Sequence, residues 1–88
     1  MTWRIELTDT ARKQLAKLGQ NDAKRISRFL RERVAVLDSP RQIGKPLRGQ
    51  LTELWRYRVG DYRLICELQD HALVVLVVRV GHRNAVYR

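Results

Sequence analysis

Residues 54–67, Leu-Trp-Arg-Tyr-Arg-Val-Gly-Asp-Tyr-Arg-Leu-Ile-Cys-Glu, leave the chain little choice of local structure. Two alternating runs flank Gly60-Asp61, and glycine at the first central position suits a two-residue hairpin turn. Such a turn sets Val59 opposite Tyr62, Arg58 opposite Arg63 and Arg56 opposite Ile65. Side chains alternate along a strand, so Trp55, Tyr57, Val59, Tyr62, Leu64 and Cys66 share a core face. Leu54, Arg56, Arg58, Arg63, Ile65 and Glu67 share the other. Directly opposite side chains lie about 5 Å apart at Cβ, and like charges there repel. Arg58 against Arg63, with Arg56 beside them, therefore predicts a place for an anion. The plainer alternative is a solvated face whose long stems cover apolar surface. Three arginines and no lysine favour the anion, because the rigid guanidinium fork suits phosphate.

The remainder has to cover that hairpin's apolar face. With 88 residues, 44% of them hydrophobic, the chain makes one small domain spanning 1–88 with a single modest core. Its 18 Lys and Arg against 9 Asp and Glu give a net charge of +9, which favours a polyanion partner. The N-terminus lacks the apolar core of a signal peptide, and the longest apolar run, 72–78, is too short to cross a bilayer. The single cysteine, Cys66, has no internal partner and falls on the core face. These features predict a cytoplasmic protein that does not engage membranes.

In chain order, Trp3 to Leu7 alternates as a first strand. Thr8 can cap a helix with Ala11, Leu15 and Leu18 along its apolar stripe, and Gly19 stops it. Asn21 is placed to cap a second helix, with Ala23, Ile26, Phe29, Leu30, Val34 and Leu37 at helical spacing and Lys24, Arg25, Arg28, Arg31 and Arg33 mostly on the other side. Asp38-Ser39-Pro40 ends it. Pro40 to Gln50 reads as a basic loop in which Lys45 and Arg48 could touch phosphate. Gln69-Asp70-His71 makes a turn, Ala72 to Val80 a strand buried on both faces, and Gly81 breaks that strand. The expected fold is α+β in the order βααβββ, with two helices on one face of a mostly antiparallel four-stranded sheet and the arginine face open.

No metal-ligand spacing and no cofactor motif is present. The residues left for chemistry are the arginines, His82 and Tyr87. RNA can be cut without a metal when its own 2′-hydroxyl attacks the adjacent phosphorus. That needs a proton acceptor, a proton donor for the leaving oxygen and cations around the phosphate. His82 or Tyr87 could move the proton, and Tyr87 could instead stack on a base.

The element order, together with Pro-Leu-Arg-Gly at 46–49, Gly-Asp-Tyr-Arg-Leu at 60–64 and Val-Gly-His-Arg-Asn-Ala-Val-Tyr at 80–87, resembles RelE toxins of the RelE/ParE superfamily over essentially the whole chain. That resemblance implies a toxin held by a RelB-like antitoxin, acting on messenger RNA (mRNA) in the ribosomal A site as an endoribonuclease. It maps the active face onto Arg56, Arg58, Arg63, Arg83 and Tyr87, and Lys45 and Arg48 of the basic loop stay as the RNA contacts read from the loop itself. The sequence departs from the best-known pattern at Arg56 and Arg58, where lysines are usual, at His82, and in a shorter spacing before Tyr87. Related branches use histidine for proton transfer, which keeps His82 a candidate. The rival implied by the same superfamily is a ParE-like toxin that binds DNA gyrase and cuts no RNA.

Overall fold

The structure, a computed structural model, describes residues 2–47 and 54–85. Strands β1 (Arg4–Leu7), β2 (Lys45–Leu47), β3 (Leu54–Val59), β4 (Tyr62–Gln69) and β5 (Val74–His82) form one sheet in the order β1-β5-β4-β3-β2. Helices α1 (Asp9–Ala16) and α2 (Gln20–Phe29) lie between β1 and β2 in sequence. The sheet thus has five strands where four were expected. The extra one is β2, inside the stretch read as loop. Three residues with a proline show no alternation, and proline is tolerated there because β2 is an edge. Pairing is antiparallel except for β1 beside β5.

The hairpin adopts the anticipated register, with Val59 against Tyr62, Arg58 against Arg63 and Arg56 against Ile65. Gly60 has φ 59° while Asp61 stays at negative φ, the combination of a type II′ turn. Tyr57, Val59, Leu64 and Cys66 are buried against Trp3, Ala11, Ile26, Leu30, Val34, Val75, Val77 and Val80. Burial raises the Cys66 thiol above its ordinary range, which leaves it an inert core group.

α1 begins as expected, the Thr8 hydroxyl accepting from Ala11 N at 3.1 Å. The same hydroxyl donates to Val78 O at 3.0 Å, and Gln14 Oε1 accepts from Val80 N at 2.8 Å. α1 therefore satisfies the edge of β5 beyond the end of β1. α2 is not capped by Asn21. It starts two residues earlier than that cap would allow, at Gln20 after Gly19 at φ 89°, with no side-chain cap. Past Phe29 the helix loosens into a π-helical turn, Leu30–Val34, closed by Ala35 N donating to Leu30 O. The slack turns Leu30, Val34 and Ala35 all inward and offers Ala35 O to Trp3 N at 2.8 Å.

β5 runs through Gly81 to His82 instead of stopping before it, since β4 continues to supply partners. Across β4 it bulges: Ile65 faces Arg79 but Cys66 faces Val77, so Val78 is extra. Val77 and Val80 both reach the core, and Arg79 is delivered to the arginine face.

Arg41 clamps the far end of the sheet, donating from both terminal nitrogens to the Asp70 carboxylate at 2.8 and 3.0 Å. This hydrogen bond holds the Asp70 carboxyl below its ordinary 3.8. A group depressed in the folded state contributes in full above its unfolded value and loses that contribution as pH falls through the folded one. Asp70→Asn should therefore cost no more than about 1 kcal/mol of stability at neutral pH, read as a lower melting temperature, the pair being half in solvent. Melts of both proteins should converge as pH drops below 3.8. A gap that persists in acid would show that the carboxylate's charge is not what acts.

Candidate phosphate-binding cleft

The sheet register arranges the cations in rows. Arg58 faces Arg63, and Lys45, Arg56, Ile65 and Arg79 follow one another across β2 to β5. Ile65 is only 4% exposed on this outer face, because its neighbours on both sides are arginines whose aliphatic stems are long enough to shade it. β2 accompanies β3 only as far as Arg56, so β3 becomes the sheet edge from Tyr57 onward. Around that free edge opens a cleft of about 420 Å³, lined by Arg33, Lys45, Arg56, Arg58 and Arg63 together with Phe29, Ile43, Gly44 and Tyr57. No acidic side chain lines it among the described residues. The ion pairs Arg4–Glu6, Arg12–Asp9 and Arg41–Asp70 all lie elsewhere.

The wall beside these cations is stiff. Trp55 Nε1 donates to Ile43 O at 2.7 Å, and the buried Tyr57 hydroxyl donates to Pro40 O at 2.8 Å. Gly44, at φ 78°, lies flat on β3 between those anchors. Burial raises the Tyr57 phenol far above the ordinary tyrosine range, so it cannot act as a base. Arg63 curls back on the turn, its Nη1 donating to Gly60 O at 3.1 Å and Tyr62 O at 3.0 Å. Neutral carbonyls are weak partners for a guanidinium, and a phosphate oxygen would make a charge-assisted bond instead.

Arg83 sits just past β5, its main-chain N–H donating to Asp61 O at 2.8 Å, which brings it to the hairpin end that carries Arg58 and Arg63. His82 is not brought to that face. It pairs with Tyr62, on the helix side, and their rings meet edge-on at 6.2 Å. Tyr62 in turn donates to Asp22 of α2 at 3.0 Å, a hydrogen bond that raises its phenol pKa. Asn84 N donates to His82 Nδ1 at 3.3 Å, so a neutral ring carries its proton on Nε2 and can only donate there. Tyr87 and Arg48 lie outside the described residues. Arg33 and Arg79 were missed by sequence reading. Arg33 was seen only as part of a basic helix face, and Arg79, the one charge in an apolar run, needed the bulge to declare its side.

A cleft of this kind can hold a phosphodiester and stabilise charge that gathers on it, while its described walls supply no general base.

The sequence model for the ParE toxin of the type II toxin–antitoxin system parDE matches residues 5–87. The chain is 33% identical to toxin RelG of Mycobacterium tuberculosis over 88 residues, all of this chain and 99% of that one. It is 31% identical to the mRNA interferase toxin RelE of Escherichia coli over 86 residues, 96% of this chain and 86% of that one. Among solved structures, the RelBE2 toxin–antitoxin complex of M. tuberculosis superposes with a TM-score of 0.84 at 31% identity, covering 94% of this chain and 93% of that one.

Proposed function

The chain belongs to the RelE toxin family of type II toxin–antitoxin systems, and from that premise we propose that it is a ribosome-dependent endoribonuclease cutting mRNA in the A site. The observation that carries this reading is the ring of cations around the free edge of β3, with no acid among its described lining. Arg58 and Arg63 hold the scissile phosphate from opposite strands, and Arg56 and Lys45 hold the adjoining backbone. The RNA's 2′-oxygen attacks phosphorus, its proton is accepted, the P–O5′ bond breaks and the 5′-oxygen takes up a proton. The product strand ends in a cyclic phosphate. The guanidinium groups stabilise the charge that builds on the non-bridging oxygens. Arg83 adds charge or donates to the leaving oxygen, and Tyr87 takes the base or stacking role. His82, facing α2, positions Tyr62 and the turn after β5. Arg48 joins Lys45 as an RNA contact.

The partners follow from the same surface. One relative is named an mRNA interferase and a structural neighbour is a toxin–antitoxin complex, which supports mRNA as substrate and a RelB-like antitoxin as the inhibitor covering the face. No helix in the described residues is long and apolar enough to cross a membrane; the proposed action on ribosomes is one carried out in the cytoplasm. A ParE-like gyrase poison is the second reading, since the matched family description is that of ParE. It leaves the Arg58–Arg63 juxtaposition without a use.

A weak set of proton-transfer groups works if the substrate arrives already bent into line, since orientation alone can recover about 7–11 kcal/mol of a barrier. The expected result is rapid cleavage of a messenger on programmed ribosomes and little of the same messenger free, at equal protein. Equal rates would sink the ribosome dependence. Absence of cleavage in both, with DNA breaks on expression, would favour the gyrase reading.

A further inference from the structure

The cleft continues round the sheet edge onto the helices. A second groove of about 590 Å³ runs along α2 and shares Phe29, Arg33 and Arg58 with the first. Past that junction it is walled by Lys24, Arg25 and Arg28 of α2 and by Gly60 at the hairpin tip, with Glu32 the acid among its lining. Lys24, Arg25, Arg28, Arg33 and Arg58 are all exposed, and none forms an ion pair among the described residues. Like charges at i,i+3 and i,i+4, as in Arg25–Arg28 and Lys24–Arg28, weaken a free helix, so solvation alone is a poor account of the stripe. The Arg25 guanidinium lies against Gly60, 2.8 Å from where a Cβ would stand. Gly60 O is also what Arg63 holds, so the groove and the cleft meet at one turn.

We propose that this groove binds the continuation of the single-stranded RNA whose scissile phosphate lies against Arg58 and Arg63. The inference rests on the nuclease reading and adds the path of the substrate. The strand leaves the cleft at Phe29 and follows Arg33 of the π-helical turn and then Arg28 and Arg25, which stand about 4.5 Å apart along the α2 axis. Phe29, its ring fixed edge-on to Tyr57 at 6.1 Å, offers a half-exposed face on which any base can stack. A double helix is the wrong occupant: with a persistence length of about 50 nm it cannot follow a path bending round one strand of a sheet.

The test uses the whole chain and uncleavable 2′-O-methyl RNA strands of about 4 and about 12 nucleotides, with binding read by fluorescence anisotropy over a range of salt. The double substitution Arg25→Gln with Arg28→Gln should weaken the long strand about tenfold and leave the short one within about twofold. It should also lower the salt slope for the long strand by about 1.4, two phosphate contacts at 0.7 each. Arg25→Lys with Arg28→Lys should retain most of the long-strand affinity, which a purely structural role would not allow. Unchanged long-strand binding in the glutamine variant overturns the proposal, as does equal loss for both lengths, a larger loss for a duplex, or no binding of either strand by the wild-type protein. Messenger cleavage on ribosomes is scored separately. Retained cleavage beside unchanged binding refutes the path alone, whereas absent cleavage refutes the nuclease reading.

Discussion

Arg63→Ala is expected to cut messenger cleavage on ribosomes by a factor of about 10²–10³, the usual consequence of removing one donor aimed at developing charge. Folding should hardly respond. The side chain's hydrogen bonds go to carbonyls of its own turn, Gly60 O and Tyr62 O. Their loss is offset by relief of the repulsion with Arg58 directly opposite. The melting temperature should thus stay within about 5 °C, roughly 1 kcal/mol for a domain of this size. Arg63→Lys keeps the charge and loses the fork, so it should fall between wild type and alanine. Arg83→Ala should also abolish toxicity with little loss of stability, because the bond it makes to Asp61 O is through its main chain and survives the change. Growth after induction, ribosome cleavage and thermal melts together decide the matter. If toxicity and cleavage persist with both arginines gone, the cleft is not where the chemistry happens, whatever else it binds.

That prediction could be framed from sequence because the hairpin is over-determined. Gly60-Asp61 specifies the turn, alternation specifies the faces, and a one-residue slip would bury arginines. Elsewhere the signal was weaker for identifiable reasons. Lys45-Pro46-Leu47 is too short to show a period, so β2 read as loop. β5 is apolar on both faces, and its run said nothing about which way Arg79 points. The bulge at Val78 decides that, and a bulge is stabilised by partners remote in sequence, here the Thr8 hydroxyl and the Gln14 amide oxygen. His82 was grouped with the arginines because Gly81 looked like a strand end. With β5 continuing through Gly81, alternation sends His82 to the helix side beside Tyr62. The groove along α2 was legible as charges on a helix, while its junction with the cleft depended on where the free edge of β3 falls. That edge follows from the length of β2. Tyr87 and Arg48 lie outside the described residues, and their assignment still rests on the sequence: Tyr87 on its chemistry and the family resemblance, Arg48 on the basic loop that carries it.

Gly44→Ala should be among the most damaging single-methyl additions in the chain, and Gly19→Ala is its natural control. Both glycines have positive φ, 78° and 89°, so both substitutions carry the strain of placing a side chain in the left-handed region. Around Gly19 a new Cβ would meet nothing within 4 Å. At Gly44 it would stand 2.5 Å from Arg56 O, 2.7 Å from Trp55 Nε1 and 2.8 Å from Tyr57 Cδ1. A backbone oxygen and two anchored rings cannot step aside cheaply, so the chain entering β2 has to lift from β3. Lifting it breaks the Trp55–Ile43 bond and draws Lys45 away from Arg56. Strain of about 1 kcal/mol, a lost hydrogen bond of about 1 and overpacking of about 1–3 sum to roughly 3–5 kcal/mol. At about 4–8 °C per kcal/mol, the melting temperature should fall by well over 10 °C, against about 5 °C for Gly19→Ala. Below its melting point the Gly44 variant should also bind RNA less tightly, because the displaced segment holds one wall of the phosphate cleft. Equal melting losses in the two variants would mean that backbone strain is the whole effect and that β2 does not press on β3 as described. A large stability loss with unaltered RNA binding would instead free Lys45 from any part in the site.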